Sequence, residues 1–151
     1  MPADAAAYQG IAVQAVLFLF LLIAVSVCDI RSREIPDSLQ AAIALLSLLQ
    51  FSPWNLAGIL TALPYLLVAL SGSGTGGIGG GDIKLAAALG LVLGLPAGVA
   101  ASVMGLSAFI IYGFICSCAG RRKGKAAYPA GPFLAAGAAI AYFFEIGGWS
   151  I

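Results

Sequence analysis

Two aspartates stand at the ends of apolar segments, and their side chains could carry out acid–base chemistry. Asp29 closes the first long apolar segment, and Asp82 follows three glycines at the start of a later one. Two carboxylates brought close together cannot both ionise easily, so they share a proton, and aspartic proteases activate water in this way. The chain contains no histidine, which removes Ser–His dyads and HExxH metal sites. If the protein is a hydrolase, carboxylates are nearly the only acid–base groups available to it.

Each acidic residue also has a structural interpretation. Asp82 could cap the helix that begins beside it, since aspartate is a favoured N-cap residue. Asp29 could be a solvated acid paired with Arg31 or Arg33. For Asp37, in the segment Ile-Pro-Asp-Ser-Leu, the structural interpretation is preferred: this residue or the serine after it would cap the second helix.

The composition predicts that nearly all of the chain lies in a lipid bilayer. Of its 151 residues, 62% are hydrophobic and 9% are charged, whereas a soluble domain carries about 25% charged residues. The chain has six apolar segments; three have about the length of a membrane helix, which needs about 20 residues, and three are shorter, which indicates an end inside the protein or beside a water-filled recess. The long run from residue 83 to residue 118 should break at the Gly94–Gly98 stretch, and Pro64 should kink the third segment. We therefore predict an all-α, polytopic membrane protein, a single domain of six transmembrane helices with its core in residues 11–146, at 11–28, 39–51, 54–70, 83–95, 99–118 and 133–146.

The distribution of charge predicts the orientation of these helices. With six spans, every basic residue falls in or next to the first, third or fifth loop, and the termini and the other loops have none. By the positive-inside rule, the odd-numbered loops are cytoplasmic and both termini lie outside. Asp29 and Asp82 then lie at the same depth at the cytoplasmic face of the inner membrane. The basic residues are Arg31, Arg33, Lys84, Arg121, Arg122, Lys123 and Lys125.

Other kinds of site find little support in the sequence. The glycine-rich stretch 71–81 lacks the Gly-Lys-Ser/Thr of a phosphate-binding loop. Cys28, Cys116 and Cys118 form no CxxC pair, and a zinc site would need more ligands. We expect no cofactor, no metal and no nucleic-acid partner. A small proton-coupled transporter, with the two aspartates as a proton relay, stays an alternative to an enzyme, although no inverted repeat supports it.

Three ordered blocks of sequence resemble the type IV prepilin peptidase family, the prepilin leader peptidases of the GxGD class of aspartic membrane proteases, particularly its short forms. They are CDIRSREIPDSL at 28–39, GGGDIKLAAALGLVLG at 79–94 and YPAGPFLAAG at 128–137. In the third block, Ala130 stands where phenylalanine is commoner in the family. The resemblance spans residues 11–146. The presenilin-like branch of GxGD proteases shares the second motif, and no match to its other motifs is found.

The resemblance implies a catalytic pair, Asp29 and Asp82, supported by the motif residues Gly79, Gly81, Lys84 and Asp37. It implies a substrate that is a prepilin or pilin-like precursor, with a basic leader cleaved after a glycine at the cytoplasmic face. The glycines before Asp82 would let an extended peptide approach, because glycine permits close backbone contact. Long family members carry an N-terminal domain with CxxC motifs and also methylate the new N-terminus. Because this chain has no CxxC, we expect peptidase activity without N-methyltransferase activity.

Helix dipoles predict which aspartate holds the shared proton. Asp29 lies at the C-terminal end of the first helix, where partial negative charge disfavours a carboxylate. Asp82 lies at the N-terminal end of the fourth, where partial positive charge favours one. These effects make Asp29 the protonated member and Asp82 the ionised base, and Arg31 and Arg33 would oppose them at Asp29.

Overall fold

The computed structural model describes residues 2–71, 79–119 and 129–146, and every regular element within these ranges is helical. The predicted all-α class is confirmed. The basic segment 121–125, the glycines of 72–78 and Tyr128 lie outside the described residues. The helices are α1 (Pro2–Ser32), α2 (Asp37–Leu46), a 3₁₀ turn (Ser47–Gln50), a longer 3₁₀ helix (Pro53–Ala62), α3 (Leu63–Ser71), α4 (Gly80–Cys118) and α5 (Gly131–Ile146).

Two of these helices are long and apolar enough to cross a membrane. One comprises residues Gln9–Ser32 of α1, and the other is α4, which has 39 residues. The remaining apolar helices among the described residues are shorter, and they include α5 and the segment Asp37–Gln50. Six spans with both termini outside stay a prediction.

The predicted break in the long apolar run is confirmed at Gly94. This residue has φ +76°, a conformation that interrupts α4 and that glycine adopts without a steric penalty. A Cβ placed on Gly98 would lie 3.2 Å from the Cα of Gly90, although residues eight apart in a straight helix are separated by about 12 Å. The two halves of α4 therefore turn back on each other, and the first half carries Asp82.

The 3₁₀ helix packs against the first half of α4 with almost no side chain between the backbones. A Cβ on Gly58 would overlap the carbonyl of Gly90, and a Cβ on Gly90 would overlap that of Gly58. Thr61 adds a hydrogen bond from its hydroxyl to the carbonyl of Ala86, at 2.8 Å. Small residues at such interfaces let apolar helices approach closely. The helix type changes to α at Leu63, next to Pro64, where a kink was predicted.

The second half of α4 packs against α5 through another pair of small residues. A Cβ on Gly105 would lie 2.8 Å from the carbonyl oxygen of Phe133, and a Cβ on Gly137 would overlap the carbonyl of Ala101. These contacts fix the first turns of α5 relative to α4. They thereby determine where the N-terminus of α5 lies.

A buried polar cluster connects α1, α2 and α5. Gln14 is 3% exposed, and its amide donates a hydrogen bond to the carbonyl of Leu46 at 2.9 Å. Its amide oxygen accepts one from the Tyr142 hydroxyl at 3.0 Å, and the Tyr142 ring packs 4.9 Å from that of Phe18. Both ends of the Gln14 amide are satisfied, so the cluster binds three elements without leaving this side chain unpaired.

Candidate active site

Asp29 and Asp82 lie in the same pocket, which has a volume of about 360 Å³. The two carboxyl groups are close enough to interact electrostatically. The pocket is formed where the end of α1, the connection to α2 and the start of α4 meet. Its other lining residues are Arg33, Glu34, Ile35, Asp37, Gly79, Gly80 and Gly81.

Asp29 is a buried residue in the last turn of α1, with 6% of its surface exposed. The helix ends just after it, because Arg33 takes φ +56° and donates its backbone N–H to the Asp29 carbonyl at 2.9 Å. The side-chain oxygen Oδ2 accepts a hydrogen bond from the backbone N–H of Gly131, at 2.7 Å. The interpretation of Asp29 as a solvated acid is therefore wrong.

The partner of Asp29 is the N-terminus of α5. Gly131 is the first residue of this helix, and the carbonyl of Ala130 accepts the N–H groups of Phe133 and Leu134. The first N–H groups of a helix lack partners within it, and they favour a negative charge. A Cβ at Gly131 would lie 2.7 Å from Asp29 Oδ2, so only glycine fits this approach without displacement.

The helix-dipole prediction of the shared proton did not include this contact. At Asp29 it considered the C-terminus of α1, where a carboxylate is disfavoured, and the opposing charges of Arg31 and Arg33. In the folded protein, the N-terminus of a second helix donates a short hydrogen bond to the same carboxyl group. A donated N–H stabilises the ionised form of a carboxyl group in general, and which aspartate holds the shared proton stays a prediction.

Asp82 lies in the first turn of α4, directly after the glycines. The N-cap position is occupied by Gly79, whose carbonyl accepts the Asp82 backbone N–H at 3.0 Å. Asp82 is thus the third residue of α4 and not its N-cap, so the interpretation of Asp82 as the N-cap residue is wrong. A Cβ on Gly80 would meet no atom within 4 Å, so there is open space beside this glycine, two residues before Asp82.

Asp37 and Lys84, both named as motif residues, form an ion pair. The Lys84 ammonium lies 2.8 Å and 2.9 Å from the two carboxylate oxygens of Asp37, and both side chains are largely exposed. Pro36, not Asp37 or the serine after it, is the N-cap of α2, and no side chain caps this helix. The predicted capping role is therefore wrong, because the Asp37 carboxylate turns toward the cation on α4.

Sequence reasoning missed two residues that support the aspartates. Gly131 was quoted only as part of the third block, and Gln40 was not considered. Gln40 is 5% exposed and lies on the same face of α2 as the buried Ile43. A polar residue on an apolar helix face was the available signal. Its amide nitrogen lies 3.2 Å from the carbonyl oxygen of Gly81.

The described ranges 2–71, 79–119 and 129–146 contain no group of three or more His, Cys, Asp or Glu side chains placed to hold a metal ion. What the pocket offers is a pair of carboxyl groups in different surroundings. One accepts a hydrogen bond from the first N–H of α5, and the other lies in the first turn of α4, two residues after a glycine that faces open space.

The fold and the pocket define a class: an all-helical protein with membrane-length apolar helices and two aspartates at one site. Residues 16–121 match the sequence model of the type IV leader peptidase family. This match covers more than half of the chain, and the chain belongs to that family.

Two similar proteins have names that agree with this family. The chain is 37% identical over 139 residues to a prepilin leader peptidase/N-methyltransferase of Bacillus subtilis (strain 168), covering 86% of this chain and 55% of that protein. It is 32% identical over 151 residues to a protein of the same name from Burkholderia pseudomallei (strain 1026b), covering 90% of this chain and 48% of that protein. The chain thus spans about half the length of these relatives. No solved structure matches it.

Proposed function

We propose that the protein is a membrane-embedded aspartic endopeptidase that removes the basic leader from type IV prepilins or pilin-like precursors. The observation that carries this proposal is the common pocket of Asp29 and Asp82. Family membership and relatives named as prepilin leader peptidases support the substrate class. Cleavage would follow a glycine of the precursor, at the cytoplasmic face of the inner membrane.

The surroundings of the two carboxyl groups suggest which one acts as the general base and which one as the general acid. Asp29, which accepts the Gly131 N–H, is the ionised base that takes a proton from water. The resulting hydroxide attacks the scissile carbonyl carbon, and protonated Asp82 donates its proton to the carbonyl oxygen. The tetrahedral intermediate then collapses: one of its hydroxyl groups returns a proton to Asp82, the C–N bond breaks, and the leaving amine takes the proton held by Asp29.

The open side of the glycine segment suggests where the peptide lies. Residues 79–81 line the pocket without side chains, and the space beside Gly80 is unoccupied by the described residues. An extended backbone can approach a glycine segment more closely than one with side chains. The scissile bond would therefore lie along residues 79–81, between the two carboxyl groups.

The proposal is tested by incubating the purified protein with candidate precursors and reading the products by mass spectrometry. A product that begins directly after a glycine of the leader supports the peptidase, and an intact precursor contradicts it. Asp29→Asn and Asp82→Asn should each abolish cleavage, because water activation needs both an acid and a base. If Asp29→Asn keeps near-normal turnover, the assignment of the pair is wrong.

The same spectra test the prediction that no methylation occurs. With S-adenosylmethionine present, the mature product should keep an unmodified N-terminal amine. A product heavier by one methylene group would show that this chain has both activities named for its relatives.

A further inference from the structure

Gln40 connects the two walls of the pocket through a single amide group. Its Nε2 atom lies 3.2 Å from the carbonyl oxygen of Gly81 and 3.4 Å from that of Ile35. Gly81 directly precedes Asp82, and Ile35 lies in the connection that follows the end of α1, where Asp29 stands. Both residues line the pocket, so this amide reaches the wall beside each aspartate.

The orientation of the Gln40 amide follows from its partners. Both neighbours are carbonyl oxygens, which only accept hydrogen bonds, and the NH₂ group has one hydrogen for each of them. The Oε1 atom is therefore turned away, where it is buried without a hydrogen-bond partner among the described residues. A buried acceptor without a partner costs free energy, so the side chain as a whole adds little net stability.

A second polar contact between α2 and α4 is weaker. The Lys84–Asp37 pair joins the same helices, but its side chains are 59% and 77% exposed. Exposed ion pairs are screened by solvent and contribute little to holding a fixed geometry. The buried amide of Gln40 is the contact that can hold the two pocket walls at a constant separation.

We propose that Gln40 is a positioning residue that sets the separation of Asp29 and Asp82 by holding the Gly81 and Ile35 carbonyls together. The inference rests on the proposed peptidase function. Without the amide hydrogens, the glycine segment and the α1–α2 connection lose their common donor and can move apart. A misplacement of about 1 Å in a catalytic site can reduce turnover roughly 100-fold.

Gln14 provides a matched control in the same chain. Both glutamines are nearly fully buried and hydrogen-bonded to backbone carbonyls, and Gln14 lies in the cluster with Tyr142, away from the pocket residues. Leucine at position 14 removes two satisfied hydrogen bonds and leaves the Tyr142 hydroxyl unpaired. Leucine at position 40 removes two long hydrogen bonds together with an unpaired oxygen. Gln14→Leu should therefore lower the stability and leave kcat unchanged, whereas Gln40→Leu should lower kcat and leave the stability nearly unchanged.

The test compares Gln40→Leu and Gln40→Glu with Gln14→Leu in detergent-solubilised full-length protein. For each, kcat and KM for precursor cleavage, the thermal midpoint, and hydrogen exchange of the amides of residues 79–84 are measured. We expect Gln40→Leu to lower kcat roughly 10- to 100-fold, with KM within about twofold and a near-unchanged midpoint. Exchange at 79–84 should rise. Gln40→Glu should lower kcat at least as much, since a carboxylate facing two carbonyls repels them.

Gln14→Leu should lower the thermal midpoint and leave kcat of the folded enzyme and exchange at 79–84 unchanged. A Gln40→Leu enzyme with normal kcat and normal exchange at 79–84 would overturn the positioning role. If the wild-type protein and its Asp29→Asn and Asp82→Asn variants all leave precursors intact, the peptidase proposal fails instead. The exchange measurement still decides whether Gln40 orders the glycine segment, because it requires no activity.

Discussion

Gly131→Ala is the sharpest test of the contact between α5 and Asp29. The added Cβ would lie 2.7 Å from Asp29 Oδ2, 3.0 Å from Cγ and 3.1 Å from Cβ. Ordinary contacts between such atoms begin near 3.4 Å, so the carboxyl group must withdraw by roughly 0.7 Å. The same group accepts the Gly131 N–H, and a withdrawal of this size acts directly on that hydrogen bond.

The size of the effect can be worked from the hydrogen bond. Its length of 2.7 Å would increase to about 3.4 Å, beyond the usual range for N–H···O bonds. A hydrogen bond to a charged group contributes about 1.5–3 kcal/mol, and each 1.4 kcal/mol changes a rate about tenfold. If this bond holds the Asp29 carboxylate ready to accept a proton, Gly131→Ala should lower kcat roughly 10- to 100-fold.

The assay is cleavage of a precursor by equal amounts of folded protein, with Gly113→Ala as the control. A Cβ at Gly113, also within a helix, would meet no atom within 4 Å. Alanine there should leave activity unchanged and slightly favour the helix. Near-normal kcat in Gly131→Ala would refute the reasoning, and so would an equal loss in Gly113→Ala, because that loss could not come from Asp29.

Three further substitutions probe the surrounding structure. Asp37→Asn should keep substantial activity and change the free energy of unfolding by less than about 1 kcal/mol, because its ion pair with Lys84 is exposed; complete loss of cleavage would make Asp37 a catalytic candidate. Gly94→Ala should destabilise the protein by about 1–3 kcal/mol in denaturant unfolding, since φ +76° strains an alanine, and an unchanged midpoint would contradict the break in α4. A cysteine introduced within 121–125 should resist an impermeant thiol reagent on intact cells, and labelling from outside would overturn the predicted topology.

The break in α4 shows what local sequence can predict. Glycine and proline act on the backbone of their own segment, so Gly94 and Pro96 were sufficient to predict a break in the run from 83 to 118. The failed capping prediction for Asp37 shows the limit of the same reasoning. An aspartate near a helix start suits a cap, but Asp37 pairs instead with Lys84, a residue 47 positions away. The residues next to Asp37 in the sequence do not indicate that Lys84 binds its carboxylate in place of the helix N-terminus.

The surroundings of Asp29 show the same limit. The dipole argument was sound for α1 and α4 separately, since each aspartate lies at the expected helix end. Helix α5 adds a hydrogen-bond donor at Asp29, and the position of α5 depends on the glycine contacts at Gly105 and Gly137. Because these contacts join helices distant in sequence, the charge surrounding Asp29 is a property of the packed bundle.

This packing gives the third sequence block, residues 128–137, a role at the site through Gly131. It contains neither acidic nor basic side chains, and from the sequence only its resemblance to the family singled it out. Gly131 contributes a backbone N–H instead of a side chain, and the absence of a Cβ is what allows this N–H to reach Asp29 at 2.7 Å. The first block supplies Asp29, the second supplies Asp82 directly after three glycines, and the third supplies the backbone N–H that donates to Asp29. A search for reactive side chains alone overlooks a contribution of this kind, because glycine acts through its backbone and through the space that it leaves.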